Sequence, residues 1–449
     1  MNTYLLKNIL LLTSLLTFLS GPLPAAVHAS QQEWLNMTRC VQKALQNNKQ
    51  IQAFKYQLES SRAGTKSSQG AFGPSLKANY GYTHQDQEYG SSSTPQLSSG
   101  AEDQWTLGLQ LKQPLFRGFA LLSAYQQAQL EQDRNRFRLE QAKLDIVLEV
   151  QEAFLELLKA REEVEIARDS LKQLKSHLRV AKAFYDVGVK PKFDVLQAEV
   201  DVSTAEQELL VAKNRVATQE ARLNTLLDAA YNASLNYTGQ LTYTPFSLEL
   251  EDCVQRSLKK RPDLEIARKS VAIARKQTLK AKSPFYPQLD LTADHLRYGD
   301  EPAVDGFSQS GSMLPENEWK VGGQLQWQLF NSGETYYKYR QSKHNIARLN
   351  AELQSQKRDA ALAVKTAYLQ MNQSSESIQV ARKGLQEAQE GYRIALKRYQ
   401  AQVGTSTDVL DAQARLTRSK GELNTALANY KMAMAQLYQA MGEMNMDLK

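Results

Sequence analysis

The side chains that could carry out catalysis or bind a metal are few in this sequence and lie far apart. None of the five histidines has a second histidine or a cysteine at the spacing of a metal site. The sequence also has no phosphate-binding loop of the GxGxxG or Walker type and no serine in a nucleophile elbow. We therefore expect neither an enzyme nor a bound cofactor or metal. The histidines are His28, His84, His177, His295 and His344.

Two carboxylates, Asp408 and Asp411, have the spacing at which side chains share one face of a helix. They open a helix that the sequence predicts to begin near residue 407. Asp408 alone could be explained by the favourable interaction of an acid with a helix N-terminus. Asp411 lies almost a turn further along and is harder to explain in that way. The pair is therefore a candidate functional site.

The two cysteines occupy matching places in two similar segments. The sequence CVQKAL begins at Cys40, and CVQRSL begins at Cys253. Two cysteines in an exported protein invite a disulfide interpretation, but copies of one unit need not place matching atoms in contact. We favour two small, buried, unpaired thiols.

The repetition extends over the whole chain after about residue 30. At a shift of about 213 to 214 residues, FGPSL lies over FYPQL, QPLF lies over WQLF, and DVLQA lies over DVLDA. We predict two tandem structural repeats, residues 30–240 and 241–449. Each repeat is expected to contain a helix, two strands, a long helix, a turn and a further helix. The first has strands at about 74–84 and 104–115 and helices at 118–187 and 192–230; the second has strands at about 287–297 and 318–329 and helices at 334–402 and 407–441.

The long helices are predicted from the absence of helix-breaking residues. Residues 119–187 contain neither Gly nor Pro and would form a helix of roughly 100 Å. A heptad seam runs along it with small residues on one side, and the second half repeats the seam. We expect long coiled coils, each ending at a glycine, Gly188 or Gly404, that begins a tight hairpin tip. The seam residues are Val150, Leu157, Val164, Leu171, Leu178 and Tyr185, then Val364, Met371, Ile378, Leu385, Tyr392 and Tyr399.

The strands alternate between apolar and polar residues and carry aromatic side chains near their ends. A strand of about ten residues with one apolar face suits a membrane β-barrel with lipid outside and water inside. Two soluble hairpins with one buried face are the alternative. Four strands cannot close a barrel, and an open sheet edge cannot lie in lipid, so a membrane sheet would require several chains. The candidate aromatic girdle is Tyr80, Tyr82, Trp105, Trp319 and Trp327.

The N-terminal segment and the composition agree with export. Lys7 precedes a short apolar run that ends in a small-residue cleavage site, which predicts a signal peptide over residues 1–29. The mean hydropathy of −0.51 argues against a helical membrane protein but not against alternating barrel strands. The net charge of +7 is a poor argument for nucleic-acid binding in a chain of this length.

The order and spacing of these motifs resemble those of the TolC family of outer-membrane efflux ducts. The resemblance covers both halves and implies a mainly helical α+β fold. It further implies a homotrimer with a shared twelve-stranded β-barrel in outer-membrane lipid and a periplasmic α-barrel of long helices. Such ducts dock on a periplasmic adaptor (membrane fusion) protein and an inner-membrane pump, and conduct drugs, toxins or proteins outward in efflux or type I secretion. The motifs are Pro74, Pro287, QPLFRG from Gln113, LFNSG from Leu329, and the two tips with their DVL segments.

The resemblance also assigns roles to the tips. Asp408 and Asp411 match the family's acidic pair at the constricted periplasmic entrance, where three copies would form a ring of carboxylates that favours cations. Asp194 matches the family's bonded Asp in the first half. In this sequence Ser406 and Ala401 stand at the places of the family's bonding Arg and Tyr. The interval from Gly404 to Asp408 is also two residues shorter than the interval from Gly188 to Asp194. The adaptor contacts are expected at Gly188, Val189, Gly404 and Thr405.

Two other functions compete with an export duct. A periplasmic coiled-coil adaptor would need one helical hairpin with glycine-rich β domains and would lack four amphipathic strands. A purely structural envelope protein would leave the polar strand faces and the acidic tip unexplained.

Overall fold

The structure, a computed structural model, describes residues 34–84, 103–306 and 316–448. The predicted signal peptide lies outside the described residues. The first half contains β1 (Trp34–Leu35), α1 (Met37–Asn47), α2 (Lys49–Gly70), β2 (Ser75–His84), β3 (Asp103–Arg117), α3 (Ala120–Asp186), α4 (Lys192–Leu226) and β4 (Asn236–Tyr237). The second half contains α5 (Leu250–Lys260), α6 (Pro262–Ala281), a 3₁₀ turn (Ser283–Phe285), β5 (Gln288–Gly299), β6 (Asn317–Gln326), α7 (Glu334–Gln400) and α8 (Ser406–Met441).

Each half begins with two short helices where the sequence suggested one. In the first half Asn48 ends α1 and also caps α2, because its side-chain oxygen accepts hydrogen bonds from the backbone N–H groups of Gln50 and Ile51. In the second half Pro262 occupies the first position of α6, where its fixed φ suits a helix start and its missing N–H costs nothing.

The two long helices, α3 and α7, each have 67 residues and extend over roughly 100 Å. Helices this long are stabilised by packing along their length. One stretch of α3 contacts α2 and α6, and its remainder contacts α4 and α8, while α7 contacts α5, α6 and α8. The predicted seam is buried over the middle of both helices, at Val150, Leu157 and Val164 on α3 and at Val364, Met371 and Ile378 on α7. Toward the first tip burial decreases: Leu171 and Leu178 are half-buried and Tyr185 is 43% exposed.

A four-stranded antiparallel sheet lies at the end of the molecule opposite the tips of the helical hairpins. Its strand order is β2-β3-β5-β6, so the β3–β5 pairing joins the two halves. Both outer strands, β2 and β6, have one neighbour each in the described sheet. All ten residues of β2 are exposed, and the apolar face of β6 exposes Val321 at 76%. The sheet therefore presents an apolar face and two open edges.

The ends of two strands differ from the sequence prediction. The last strand, β6, ends at Gln326 and not at residue 329, because Trp327 turns away and its indole N–H donates to the Phe285 carbonyl at 3.2 Å. The strand β3 continues to Arg117 past a register shift between Pro114 and Phe116. A bulge is expected there because proline cannot donate a ladder hydrogen bond.

Both cysteines are buried, unpaired thiols, as their matching places in the repeat suggested. Cys40 belongs to a core formed by α1, α2, α3 and the end of α4, and Cys253 belongs to a second core formed by α5, α7 and α8. The two-residue strands β1 and β4 pair in parallel beside the first core. Among the described helices, none combines the length and the apolar composition needed to cross a membrane.

Candidate functional site

The two hairpin tips have the same backbone geometry, although their glycines stand at different places. Gly188, two residues after the end of α3, has a left-handed φ of +74°, and Gln402, two residues after the end of α7, has a left-handed φ of +64°. In each tip the next residue, Val189 or Val403, donates its N–H to a carbonyl in the last turn of the helix. Gln402 therefore corresponds to Gly188, and the prediction that Gly404 terminates α7 is wrong.

Gly404 has a different role, which is to allow a close approach. A Cβ there would lie 3.2 Å from both the Cβ of Arg398 and the backbone nitrogen of Tyr399. Because the tips align without a gap, the return helices α4 and α8 start at equivalent residues, Lys192 and Ser406. The second tip is thus not shorter than the first; its glycine lies two places later in the chain.

The acidic pair begins α8, and Asp408 takes part in its N-terminal cap. The Asp408 N–H donates to Thr405 Oγ1 at 3.1 Å, and the Thr405 N–H donates to Asp408 Oδ2 at 3.0 Å, which together form a capping box. The hydrogen bonds from Thr405 hold the pKa of Asp408 below its usual range. Asp411 is exposed one turn further along and is not part of the cap.

Asp408 and Asp411 also line a groove of about 570 Å³ between α7 and α8. Three arginines, Arg398, Arg415 and Arg418, line the same groove. The carboxylates are therefore accessible to solvent and lie in a region of mixed charge.

A buried polar cluster joins the two hairpins just above their tips. The His177 imidazole of α3 lies 2.8 Å (Nε2 to Oγ) from the hydroxyl of Ser406, the first residue of α8. The ring of Tyr399, from the end of α7, lies 5.0 Å from the His177 ring and is fully buried. Phe184 also packs against Tyr399, with the ring centroids 5.6 Å apart. His177 and Ser406 are each 2% exposed, so this contact is made away from water.

Lys190 adds a direct bond between the two tips. Its ammonium group lies 5.4 Å from the centre of the Tyr399 ring and donates to the Gly404 carbonyl at 3.3 Å. Asp194, in the first turn of α4, lies close enough for its charge to act on the cluster. Burial lowers the pKa of His177, and the Asp194 carboxylate opposes this shift. Burial, with a contribution from Asp194, raises the pKa of Tyr399.

A second polar contact lies one heptad further from the tips. The Gln413 amide and the Thr417 hydroxyl of α8 both donate to the Ser170 hydroxyl of α3, at 3.5 and 3.2 Å. Ser170 and His177 are seven residues apart, as are Ser406 and Gln413. Residues that recur every seven positions face the same neighbouring helix. The antiparallel pair α3–α8 thus carries buried polar side chains on one line, alongside other polar contacts such as the Lys420–Asp169 ion pair and the hydrogen bond from Asn424 to the Lys159 carbonyl.

The structure brings together part of the predicted site. Ser406, which stands at the place of the family's bonding Arg, contacts His177, and the aromatic ring in the cluster is Tyr399 rather than any group at Ala401. Sequence reasoning missed both His177, which has no metal-ligand spacing, and Lys190. Heptad spacing of polar residues was the signal that could have found His177. Among the described residues, no group of three or more His, Cys, Asp and Glu side chains could hold a metal ion.

The predicted adaptor contacts lie at the surface of the tips. Val189 is 44% exposed, and its equivalent Val403 is 67% exposed. Gly188 has open space around its Cα, while the Thr405 side chain is used in the cap of α8. The tips therefore offer apolar, accessible side chains beside the acidic pair.

The aromatic girdle residues divide between the two ends of the sheet. Trp105 packs against Tyr80 and Tyr82 at 5.5 and 4.7 Å, and Trp319 stacks on the His295 ring at 4.2 Å. These rings lie at the end of the sheet remote from the helices. Trp327 lies at the helical end, beyond β6. Aromatic side chains at both ends of an apolar strand face are typical of membrane interfaces.

The family model described as "Outer membrane efflux protein" matches residues 40–229 and 253–443, one segment in each half. The chain is 26% identical over 354 residues to the alkaline protease secretion protein AprF of Pseudomonas aeruginosa, covering 75% of this chain and 69% of AprF. It is 21% identical over 428 residues to the outer membrane protein TolC of Vibrio cholerae, covering 95% and 93% of the two chains.

Solved structures have the same fold. The outer membrane protein VceC of Vibrio cholerae superposes with a TM-score of 0.76 at 19% identity, covering 91% of this chain and 96% of VceC. The open state of the MtrE outer membrane channel of Neisseria gonorrhoeae superposes with a TM-score of 0.73 at 19% identity, covering 92% and 89%.

Proposed function

This chain belongs to the outer membrane efflux protein family, and from that premise we propose that it is the exit duct of a tripartite efflux or type I secretion system. The duct passively conducts drugs, toxins or proteins from an inner-membrane pump across the periplasm and the outer membrane. The observation that carries the proposal is the open four-stranded sheet with an exposed apolar face, attached to two helices of roughly 100 Å. A sheet of this kind requires lipid and further strands around it.

The duct is a homotrimer with a shared twelve-stranded barrel. Two features support this assembly. The edges of β2 and β6 both lack a partner within the described sheet, so β6 of one copy can pair with β2 of the next and close a barrel without free edges. The helices α4 and α7 also expose apolar side chains, including Phe193, Val200, Leu369 and Val380. A neighbouring copy would bury them.

The duct lies in the outer membrane, with its helical part in the periplasm and its tips toward the inner membrane. Export through the signal peptide over residues 1–29 delivers it there. The tips at Gly188, Val189, Gly404 and Thr405 contact a periplasmic adaptor protein, which connects the duct to its pump. No cofactor takes part, since a passive duct draws its energy from the pump. A periplasmic adaptor or a structural envelope protein is less well supported, because neither uses an amphipathic four-stranded sheet.

The entrance of the duct is formed by Asp194, Ser406, Asp408 and Asp411. Three copies of Asp408 and Asp411 place a ring of carboxylates at the narrow end, where a concentrated negative field binds multivalent cations. The measurement is the block of single-channel current by hexamminecobalt(III) in planar bilayers. Replacing both residues by Asn is expected to weaken the block at least about tenfold, which corresponds to about 1.4 kcal/mol.

The cap provides a matched control for this experiment. Asp408→Asn removes charge but also disturbs the capping box, whereas Thr405→Ala breaks the same cap and keeps both carboxylates. We expect Thr405→Ala to leave the block within about threefold of the original protein, and Asp411→Asn to reduce it without touching the cap. Equal block in the Asn variant and the original protein would exclude the acidic ring. Recovery of the chain in soluble periplasm instead of the outer membrane would exclude the duct itself.

A further inference from the structure

The bond between the two hairpins depends on a histidine whose protonation its surroundings oppose. His177 is 2% exposed, and its hydrogen-bonding partner among the described residues is Ser406. The other ring nitrogen, Nδ1, is buried and has no hydrogen-bond partner in the part of the chain that the structure describes. A neutral imidazole has one N–H and one bare nitrogen. A bare buried nitrogen costs less than a buried N–H without an acceptor, so Nε2–H donates to Ser406 and Nδ1 is the bare nitrogen.

Every element packed around this ring contributes to its electrostatic environment. Tyr399 from α7 is a neutral phenol whose buried hydroxyl lies close enough to Ser406 to interact with it. Ser406 from α8 is uncharged, Lys190 from the connection between α3 and α4 is a cation beside Tyr399, and Asp194 from α4 is the anion that acts on His177. Within the described residues Asp194 makes no ion pair with the imidazole, and its charge offsets only part of the effect of burial.

We propose that His177 is a proton-sensitive latch that holds the entrance closed when neutral and releases it when protonated. The proposal rests on the proposed function, because it concerns the regulation of the same entrance. Protonation adds an N–H at Nδ1 that faces no acceptor, and it places a second positive charge near Lys190. The cost is avoided if α8 and the tip of α7 move away from α3 and water reaches the ring. The Ser406 bond and the Lys190–Gly404 bond are then lost together, since both join the same two tips.

The sign of the pH effect follows from the two protonation equilibria. A solvated histidine has a pKa of about 6.5, and burial lowers the pKa of His177 in the latched state. The released state therefore binds more protons, and latching is favoured at higher pH. As pH falls below about 6.5, the latched state loses stability until the lowered pKa is reached. One titrating group changes the ratio of latched to released protomers by at most about tenfold per pH unit.

The test is the opening of the full-length protein in planar bilayers, acidified from about pH 7.5 to about pH 5 on the side of the helical tips. To remove the titration of the entrance carboxylates, all variants are made in the Asp408→Asn, Asp411→Asn background. We expect the rate of opening to rise at least about tenfold with acidification when His177 is present. His177→Gln keeps an amide donor for Ser406 but cannot titrate in this range, so its opening should change less than about twofold.

A second variant and a second measurement guard against a folding defect. Ser406→Ala removes the hydrogen-bond acceptor without adding a charge, and it should open frequently at both pH values. Spin labels at the exposed positions Val189 and Val403 should move apart on acidification in the His177 protein and keep their distance in His177→Gln.

The outcomes separate the latch from the duct. A pH response of His177→Gln equal to that of the original protein overturns the latch, as does closure on acidification. If the protein forms conducting channels whose opening does not depend on His177 and pH, the latch is refuted but the duct proposal is not. A protein that forms no channel at any pH refutes the duct, and with it the regulation of its entrance.

Discussion

The junctions between strand and long helix allow a prediction in which one half of the chain is the control for the other. Each junction has two consecutive left-handed residues, Gly118 and Phe119 before α3, and Ser332 and Gly333 before α7. The two halves thus share this backbone but place glycine at different members of the pair. At Gly118 a Cβ would lie 2.4 Å from the Ser283 carbonyl oxygen, whereas at Gly333 its nearest neighbour is the Tyr337 ring at 3.4 Å.

The geometry sets the size of the expected effects. A left-handed conformation costs a residue with a Cβ about 1–2 kcal/mol relative to glycine. Gly333→Ala should lose about that much, because 3.4 Å is an ordinary contact distance. Gly118→Ala should lose about 1–3 kcal/mol more, since the Ser283 backbone must move away to admit the new atom. The expected total for Gly118→Ala is therefore about 2–5 kcal/mol.

The assay is thermal and guanidinium unfolding of the purified protein in detergent, followed by the helical circular dichroism signal. If unfolding is irreversible, the half-life at fixed temperature replaces the free energy. Ser332→Gly is a third variant. It removes the cost of a left-handed backbone at a residue with a Cβ, but glycine has more conformational freedom in the unfolded chain, so we expect a net stabilisation of about 0–1 kcal/mol. If Gly118→Ala and Gly333→Ala differ by less than about 0.5 kcal/mol, the close approach to Ser283 does not determine the residue at this junction.

Two further predictions concern buried groups in the first half. Asn224 donates to the carbonyls of Tyr231 and Ala233 and accepts from the Tyr237 hydroxyl. Asn224→Ala should therefore lower the free energy of unfolding by about 2–4 kcal/mol, whereas Thr225→Ala, at the neighbouring exposed position, should change it by less than about 0.5 kcal/mol. Equal effects of the two variants would refute the role of this network. Burial raises the pKa of the Cys40 thiol to about 12, so at pH 8 only about one thiol in ten thousand is ionised. Alkylation by a maleimide in the native state should be at least about a hundredfold slower than in denaturant, and rapid native labelling would contradict the burial.

The backbone of this protein was largely predictable because its sequence repeats. The shift of about 213 to 214 residues identifies equivalent elements, and a sheet and a coiled coil each have a simple periodicity. The prediction for the end of α7 is wrong because glycine is the usual, but not the necessary, residue after a helix C-terminus. Here Gln402 adopts the left-handed conformation that follows the helix end. The backbone hydrogen bonds of the tip offset the conformational energy that this requires.

The contacts at the tips were harder to predict, because they depend on which helix faces which. His177 and Ser406 are 229 residues apart in the chain, and neither stands in a recognisable motif. Their contact depends on the packing of α3 against α8, a neighbour relation between halves that the repeat alone does not specify. The heptad seam predicts that a helix is packed, but it does not identify the partner helix or the residues at the edge of the contact.

The two halves differ at the residues of the proposed entrance. Asp194 and Asp408 are equivalent, but the residue equivalent to Asp411 is Gln197, so the first half lacks the second carboxylate. Lys190 is equivalent to Gly404, and the two meet in a hydrogen bond across the tips; lysine at both places would put two cations together, and glycine at both would leave the carbonyl without its donor. Lys192 is likewise equivalent to Ser406, which must be small and neutral to lie beside His177. At the tips, therefore, the two hairpins contact each other through residues that differ between the halves.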